Sequence, residues 1–461
     1  MPAITIIGLG PGDPEQLTLE AWRALQSADE VWLRTNRCPA AAALPAGANI
    51  AGSFDHLYET LPTLADVCEG IAQQVMALGQ RPQGVCYATP GHPLVGESAT
   101  RRILDLARER GLETRLIAGV SEIEPALVAL QLDPFEGLQL CDATLLARQH
   151  HPNLDPDVGA LIVQLYDRHL AAQVKTTLLN LYHEDHPARL TRPGKAGGPT
   201  VRDLPLYAID RQDDLDHLTA LYLPPLARPG SLSSYQDLVA RLRAPDGCPW
   251  DRKQTHQTLR THLLEETYEV LEALDADDMP ALREELGDLL LQVFLHAQIA
   301  TEEGDFRLTD TVQQVIAKLI RRHPHVFGDV QVDGAEGVLR NWEQIKREEK
   351  SGKGEFRSML SGASAALPAL SRALEMQRRA ARVGFDWPSI QPVADKVREE
   401  IGEFAQAASD PDRAAEFGDL LFSLVNLARW NDIDAESALR EANVRFARRF
   451  EYIERQALAA G

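Results

Sequence analysis

Over the first half of the chain the apolar residues come in short runs rich in β-branched side chains: AITIIGLG, GVCYATPG, TRLIAGVS, GALIVQLYD and DLPLYAI. Longer stretches with helical spacing separate them, and strands alternating with helices predict an α/β architecture. A Pro/Gly/Ser cluster between Pro224 and Ser234 ends this pattern. Beyond it, apolar residues recur every three or four positions, as in Leu264, Tyr268 and Leu271, so the second half is predicted to be all-helical. A charged, glycine-containing stretch between Glu348 and Ser358 is expected to be a linker. Three domains are therefore expected, at 1–225, 226–350 and 351–461.

The helical half repeats itself. LLEETYEVLEALDADDMPALREELGDLLLQV from Leu263 aligns with VREEIGEFAQAASDPDRAAEFGDLLFSLV from Val397, the second copy being three residues shorter between its acidic motifs. Each copy reads E-E-x-x-E, a spacer, then E-x-x-D: Glu265, Glu266, Glu269, Glu285 and Asp288 in the first, Glu399, Glu400, Glu403, Glu416 and Asp419 in the second. Basic clusters of identical spacing follow, Lys318, Arg321 and Arg322, then Arg445, Arg448 and Arg449. A repeat of such long period indicates a duplicated domain.

Positions three or four apart share a helix face, so each motif projects several carboxylates from one side. One such motif alone is usually a solvated face. Two copies, each with an acid placed directly before an apolar run that is expected to be buried, in ELGDLL and EFGDLL, indicate a hard divalent cation among oxygen ligands. Such a cation brings phosphate chemistry, with the downstream Lys and Arg residues neutralising phosphate oxygens. His256, His262, His323 and His325 share no common face with the acids and read as structural, and Trp250, Trp342 and Trp387 read as core or interface anchors.

At 461 residues the chain exceeds what one core supports, and 44% hydrophobic with 25% charged residues is ordinary globular composition. The formal net charge of −21 argues against passive binding to nucleic acid or to an anionic membrane. No uncharged stretch approaches the ~18 residues needed to span a bilayer. Five widely spaced cysteines without a C-x-x-C pair fit a reducing compartment, so a cytoplasmic location is expected.

From about Leu232 to the C-terminus, GCPWDRKQTH, LLEETYEV, EELGDLL, RRHPHVFGD, NWEQIKREEK, VGFDWP and NVRFARRF resemble, in order, a full-length MazG nucleoside triphosphate pyrophosphohydrolase. The resemblance implies tandem all-α MazG helical bundles, Mg²⁺ dependence, cleavage of nucleoside triphosphates to monophosphate and pyrophosphate, and a homodimer. Carried over, the metal ligands fall on Glu266, Glu269, Glu285 and Asp288 and on Glu400, Glu403, Glu416 and Asp419. The phosphate contacts fall on Lys396, Arg445 and Arg449, Arg445 standing where the family usually has Lys. The second copy, with Glu399 beside its ligands, has the better claim to catalysis.

In the first half, Gly8, Gly10 and Gly12 form G-x-G-x-G straight after a strand, but Pro11 within the turn breaks the dinucleotide-binding pattern. GLGPGDPEQLT with YATPGHPLVGES, LIAGVSEIEPAL and LIVQLYDRHLAAQVKTTLLNLY resembles the tetrapyrrole (corrin/porphyrin) methylases over residues 1–225. This implies a two-lobed α/β domain that binds S-adenosylmethionine. The cofactor loops fall on Gly8, Gly10, Pro11, Gly12 and Asp13, on Pro90, Gly91 and His92, and on Gly119 and Ser121. Ring methylases usually read G-D-P where this chain has Gly91-His92-Pro93, which speaks against a tetrapyrrole acceptor. His92 reads as a loop histidine bonded to backbone before a catalytic base. The whole resembles a fusion of a methylase-like domain with MazG, expected to act on nucleoside triphosphates. The alternatives are a methyltransferase, or a cofactor- or nucleotide-sensing module, with MazG regulatory.

Overall fold

The computed structural model describes residues 3–192, 200–351 and 358–460. They form two compact units, Met1–Leu238 and Val239–Gly461, so the division falls within a helix a little beyond the Pro/Gly/Ser cluster.

The N-terminal unit opens with β1 (Ile4–Gly8), α1 (Leu19–Ser27), β2 (Val31–Leu33), β3 (Ile50–Ser53), α2 (Asp55–Thr60), α3 (Leu64–Gly79), β4 (Val85–Thr89), α4 (Ser98–Glu109) and β5 (Thr114–Ile117). These strands form an all-parallel sheet in the order β3-β2-β4-β1-β5. Burial of Ile4, Ile6 and Ile7 puts both faces of β1 in the core, as helix-covered parallel sheets require. Thr18 and Thr63 start α1 and α3 by accepting from the amides of Ala21 and Asp66. The second lobe comprises α5 (Ile123–Leu130), β6 (Leu138–Asp142), α6 (Ala143–Leu146), β7 (Gly159–Val163), α7 (Arg168–Leu178), β8 (Pro187–Arg192), β9 (Thr200–Pro205) and β10 (Ala220–Leu223). Its sheet is mixed, in the order β6-β7-β10-β8-β9. The sequence pattern located β1, β4, β5 and β7. Of DLPLYAI only the start is strand, because Leu206–Arg211 turns into a 3₁₀ helix, and β2, β3, β6, β8 and β10 gave too weak a periodicity to be read.

The C-terminal unit continues from α8 (Leu232–Arg243) through α9 (Pro249–Arg252), α10 (Arg260–Asp275), α11 (Met279–Glu303), α12 (Leu308–Arg322), α13 (Pro324–Phe327), α14 (Gly334–Ser351), α15 (Ala369–Arg382), α16 (Ile390–Gln406), α17 (Asp410–Trp430) and α18 (Ala435–Ala460). The expected linker is corrected at its start: Glu348 to Ser351 belong to α14, and 352–357 lie outside the described residues. The sequence repeat is a structural one. α10 packs on α11, and α16 on α17. Both second helices start alike, with Asp278 and Ser409 accepting from the amides of Ala281 and Asp412 and a proline in the first turn. Glu285 and Glu416 each lie six residues beyond the first residue of their helix, whereas α10 runs six residues past Glu269 and α16 only three past Glu403. The three missing residues therefore come off the end of α16.

Candidate functional site

Packing α10 on α11 brings carboxylate oxygens of Glu266, Glu285 and Asp288 within 4.8 Å of one another, and packing α16 on α17 does the same for Glu400, Glu416 and Asp419. Glu269 hydrogen-bonds Glu266, and Glu403 bears on Glu416 through its charge, so both flank their clusters without entering them. The expected burial of the apolar run after each acid is corrected in the second copy, where Leu421 and Phe422 are 39% and 43% exposed, and Asp288 and Asp419 are exposed as well. The buried acid is Glu400, 5% exposed, on the helix that also buries Val393 and Val397.

The electrostatics are those of anions held together without compensation. Desolvation, then the charges of Asp288 and Glu269, pushes the Glu266 carboxyl up. Desolvation followed by Glu269 does so for Glu285, and desolvation followed by Glu403 and Asp419 for Glu416. The second copy has a partial remedy. Lys396 donates to Glu399 and Glu400, each at 2.9 Å, and these bonds raise its own pKa. Glu400 Oε2 remains buried with no partner. An orphaned carboxylate oxygen beside two further carboxylates is the donor set of a hard cation, and Mg²⁺ fits it.

The copies differ around this core. His262 occupies the first-copy position of Lys396, 3.5 Å from Glu265 and edge-on to Trp250. Arg445 pairs with Glu441 one turn back at 3.2 Å, and among the described residues Arg449 has no ion pair. Sequence reasoning left His256 without a partner. It bonds His296 through their Nδ1 atoms at 2.8 Å, and burial lowers the His296 pKa. No periodic signal connects these residues, because His256 lies in a loop.

In the N-terminal unit, the expected cofactor residues gather at the carboxyl end of the parallel sheet, where open α/β sheets bind ligands. Gly10 and Gly91 exchange backbone hydrogen bonds of 3.2 and 2.8 Å. A Cβ on Gly8 would lie 2.6 Å from the Gly91 carbonyl oxygen, and one on Gly119 only 2.3 Å from it. The loops can approach this closely only because Gly8 and Gly119 carry no side chain, and Gly91, at φ +66°, takes a conformation that favours glycine. Pro11 and Gly12 lie in the first loop, where Asp13 caps the turn Pro14–Gln16. Pro90 leads β4 into the second. The His92 ring accepts the Leu94 amide at 3.1 Å, as a loop histidine does. Ser121 is buried and donates to Glu124 at 2.6 Å, starting α5. Sequence reasoning missed Arg34 and Glu97. They form a largely buried ion pair beside Thr89, whose hydroxyl donates to Glu97 at 2.6 Å.

Residues 3–194 match the family of tetrapyrrole (corrin/porphyrin) methylases, and residues 254–327, within the first helical copy, match the MazG nucleotide pyrophosphohydrolase domain. The chain is 39% identical over 466 residues to the uncharacterized protein YabN of Bacillus subtilis, covering 99% of this chain and 94% of that protein. Over 230 residues it is 49% identical to the nucleoside triphosphate pyrophosphohydrolase of Escherichia coli K12, covering 49% of this chain and 87% of that one. Over 224 residues it is 46% identical to the nucleoside triphosphate pyrophosphohydrolase/pyrophosphatase MazG of Thermotoga maritima, covering 48% and 85%.

Proposed function

We propose that this chain, which belongs to the MazG nucleoside triphosphate pyrophosphohydrolases that carry an N-terminal tetrapyrrole methylase domain, hydrolyses a nucleoside triphosphate to the monophosphate and pyrophosphate with Mg²⁺ as cofactor. The observation that carries this is the convergence of Glu400, Glu416 and Asp419, with a buried carboxylate oxygen left unpartnered. These residues, with Glu403 at their edge, would hold Mg²⁺. Bound there, the ion would neutralise triphosphate oxygens and acidify a coordinated water. Lys396, already between Glu399 and Glu400, orients the carboxylates. With Arg445 and Arg449 it supplies positive charge for the phosphates. Glu266, Glu269, Glu285 and Asp288 form a second cation site in the first copy.

The helical half is read as two MazG domains, 226–350 and 351–461, and the first 225 residues as a domain that holds S-adenosylmethionine over the Gly8, Gly91 and Gly119 loops. A homodimer is supported by the apolar surface the helical unit leaves open. Val312, Ile316, Leu319 and Ile320 on α12 and Phe446, Phe450 and Ile453 on α18 are all at least 44% exposed. A cytoplasmic location is supported by five free cysteines, and no helix among the described residues is long and apolar enough to cross a membrane. The net charge of −21 supports the absence of a nucleic-acid partner.

The test is a panel of nucleoside triphosphates with Mg²⁺ on the full chain, scoring monophosphate and pyrophosphate. Glu400→Gln and Asp419→Asn are each expected to lower turnover by a hundredfold or more with helix content unchanged. Full turnover in both variants and in Glu266→Gln would overturn the assignment.

A further inference from the structure

The two basic clusters of the helical repeat meet different surroundings. In the second copy, Arg448 and Arg449 carry no ion pair among the described residues, and Arg445 pairs only along its own helix. In the first copy, α14 lies against α12 and presents Trp342, Lys346 and Glu349 at i, i+4 and i+7, one helix face. Glu349 receives both arginines at the end of α12. Arg321 reaches its Oε1 at 2.6 Å and Arg322 its Oε2 at 2.6 Å, so both carboxylate oxygens are taken. The Arg322 guanidinium lies 5.3 Å from the centre of the Trp342 ring and the Lys346 ammonium 4.6 Å from it. Two guanidiniums thus hold one carboxylate, and a third cation, Lys346, shares the Trp342 ring with one of them, in a chain whose net charge is −21.

A carboxylate forked by two guanidiniums sits as a phosphate group would. The place is also right for one. Arg321 and Arg322 stand 13 and 14 residues past the first residue of α12, as Arg448 and Arg449 do on α18, so they are the repeat's counterparts of the second copy's basic residues. In the second copy Arg445 to Arg449 likewise follow Glu416, on the helix after α17, and among the described residues Arg448 and Arg449 meet no such carboxylate.

We propose that Arg321, Arg322 and Lys346 form a second polyphosphate-binding site, in the first copy, and that Glu349 is the built-in anion occupying it, which confines triphosphate hydrolysis to the second copy. This rests on the triphosphate reading above. Removing the Glu349 charge uncovers the arginines for the phosphates of a nucleotide whose cation the first acidic cluster holds.

The experiment uses the full chain with Asp419→Asn to silence the second copy. Binding of a non-hydrolysable nucleoside triphosphate analogue with Mg²⁺ is measured by calorimetry, with and without Glu349→Gln. The uncovered site is expected to bind at least tenfold more tightly, and a further Arg322→Gln to cancel the gain. Unchanged affinity in a folded Glu349→Gln chain overturns the proposal, and so does pyrophosphate release by Asp419→Asn with Glu349 intact. Should Glu349→Gln not fold, hydrogen exchange of α14 in the parent chain decides: faster exchange on adding inorganic tripolyphosphate supports displacement of Glu349, and unchanged exchange at millimolar concentration overturns it. A natural chain that releases pyrophosphate from no triphosphate defeats the hydrolase reading instead, and the tripolyphosphate measurement still scores this site.

Discussion

At the residue scale, the sharpest constraint in the N-terminal unit is the absence of three side chains. Gly119→Ala places a methyl group 2.3 Å from the Gly91 carbonyl oxygen and 2.8 Å from the Gly8 carbonyl carbon, both backbone atoms that cannot rotate away. The expected cost is about 1–3 kcal/mol, read as a lower urea midpoint of the N-terminal unit, together with lost S-adenosylmethionine binding by calorimetry. All three glycines were visible in the sequence as loop glycines; that they touch one another was not, since 111 positions separate the first from the last. Glu400 was legible through its spacing; Lys396 entered only through the family resemblance, as a phosphate contact, and its pairing with Glu400 one turn on shows in the structure alone. Glu349 was not: it sits in a run of charges that composition assigns to a linker, and only the packing of α14 on α12 gives it two arginines that hold its pKa at about 2.

At the scale of elements, the acidic helix pairs should respond to cations and to protons in the same sense. Glu266, Glu285 and Glu416 have folded-state pKa values raised above the ordinary 4.5. Such groups favour the fold below about pH 4.5, and their contribution is lost as pH rises through the raised values. At neutral pH the repulsion is fully present, and Mg²⁺ should take over what protons do in acid. Thermal unfolding of the natural chain at pH 7.5 is expected to shift upward with millimolar Mg²⁺, by about 2.7 kcal/mol at a hundredfold excess over Kd. At pH 4.5 the shift should be much smaller, and an equal shift at both values would contradict the cation reading. His296, whose pKa is lowered, acts oppositely, destabilising as pH falls below 6.5, and comparing each pH with and without Mg²⁺ cancels it. The helices α10, α11, α16 and α17 were legible because their periodicity is long; β2, with three residues, holds too few positions to show a period.

At the scale of the whole molecule, the chain shows two units of opposite character. The N-terminal unit packs large buried apolar clusters in both lobes, with Val128 and Phe135 left in water, whereas the helical unit leaves Phe446 at 70% and Ile453 at 60% exposed along one helix. A helix that keeps its apolar stripe in water is short of a partner. Phe446→Lys with Phe450→Lys is expected to convert a dimer into a monomer, measured by light scattering after size-exclusion chromatography; an unchanged mass would remove α18 from the interface. Sequence pattern found the change of architecture near residue 230, because strand and helix periods differ, and it could not tell a stripe facing a core from one facing another chain. The shortened end of α16 has a different bearing. Each residue turns a helix by about 100°, so losing three swings the exit of the chain by about 300° and leaves α17 departing from nearly the side that α11 does. Loss of one residue would have swung it by about 100°, away from the acids. Between copies of one ancestral hairpin, length can drift in steps of about one turn while the face that gathers the carboxylates survives, so the spacing between E-E-x-x-E and E-x-x-D is free to vary by three or four and closed to one or two.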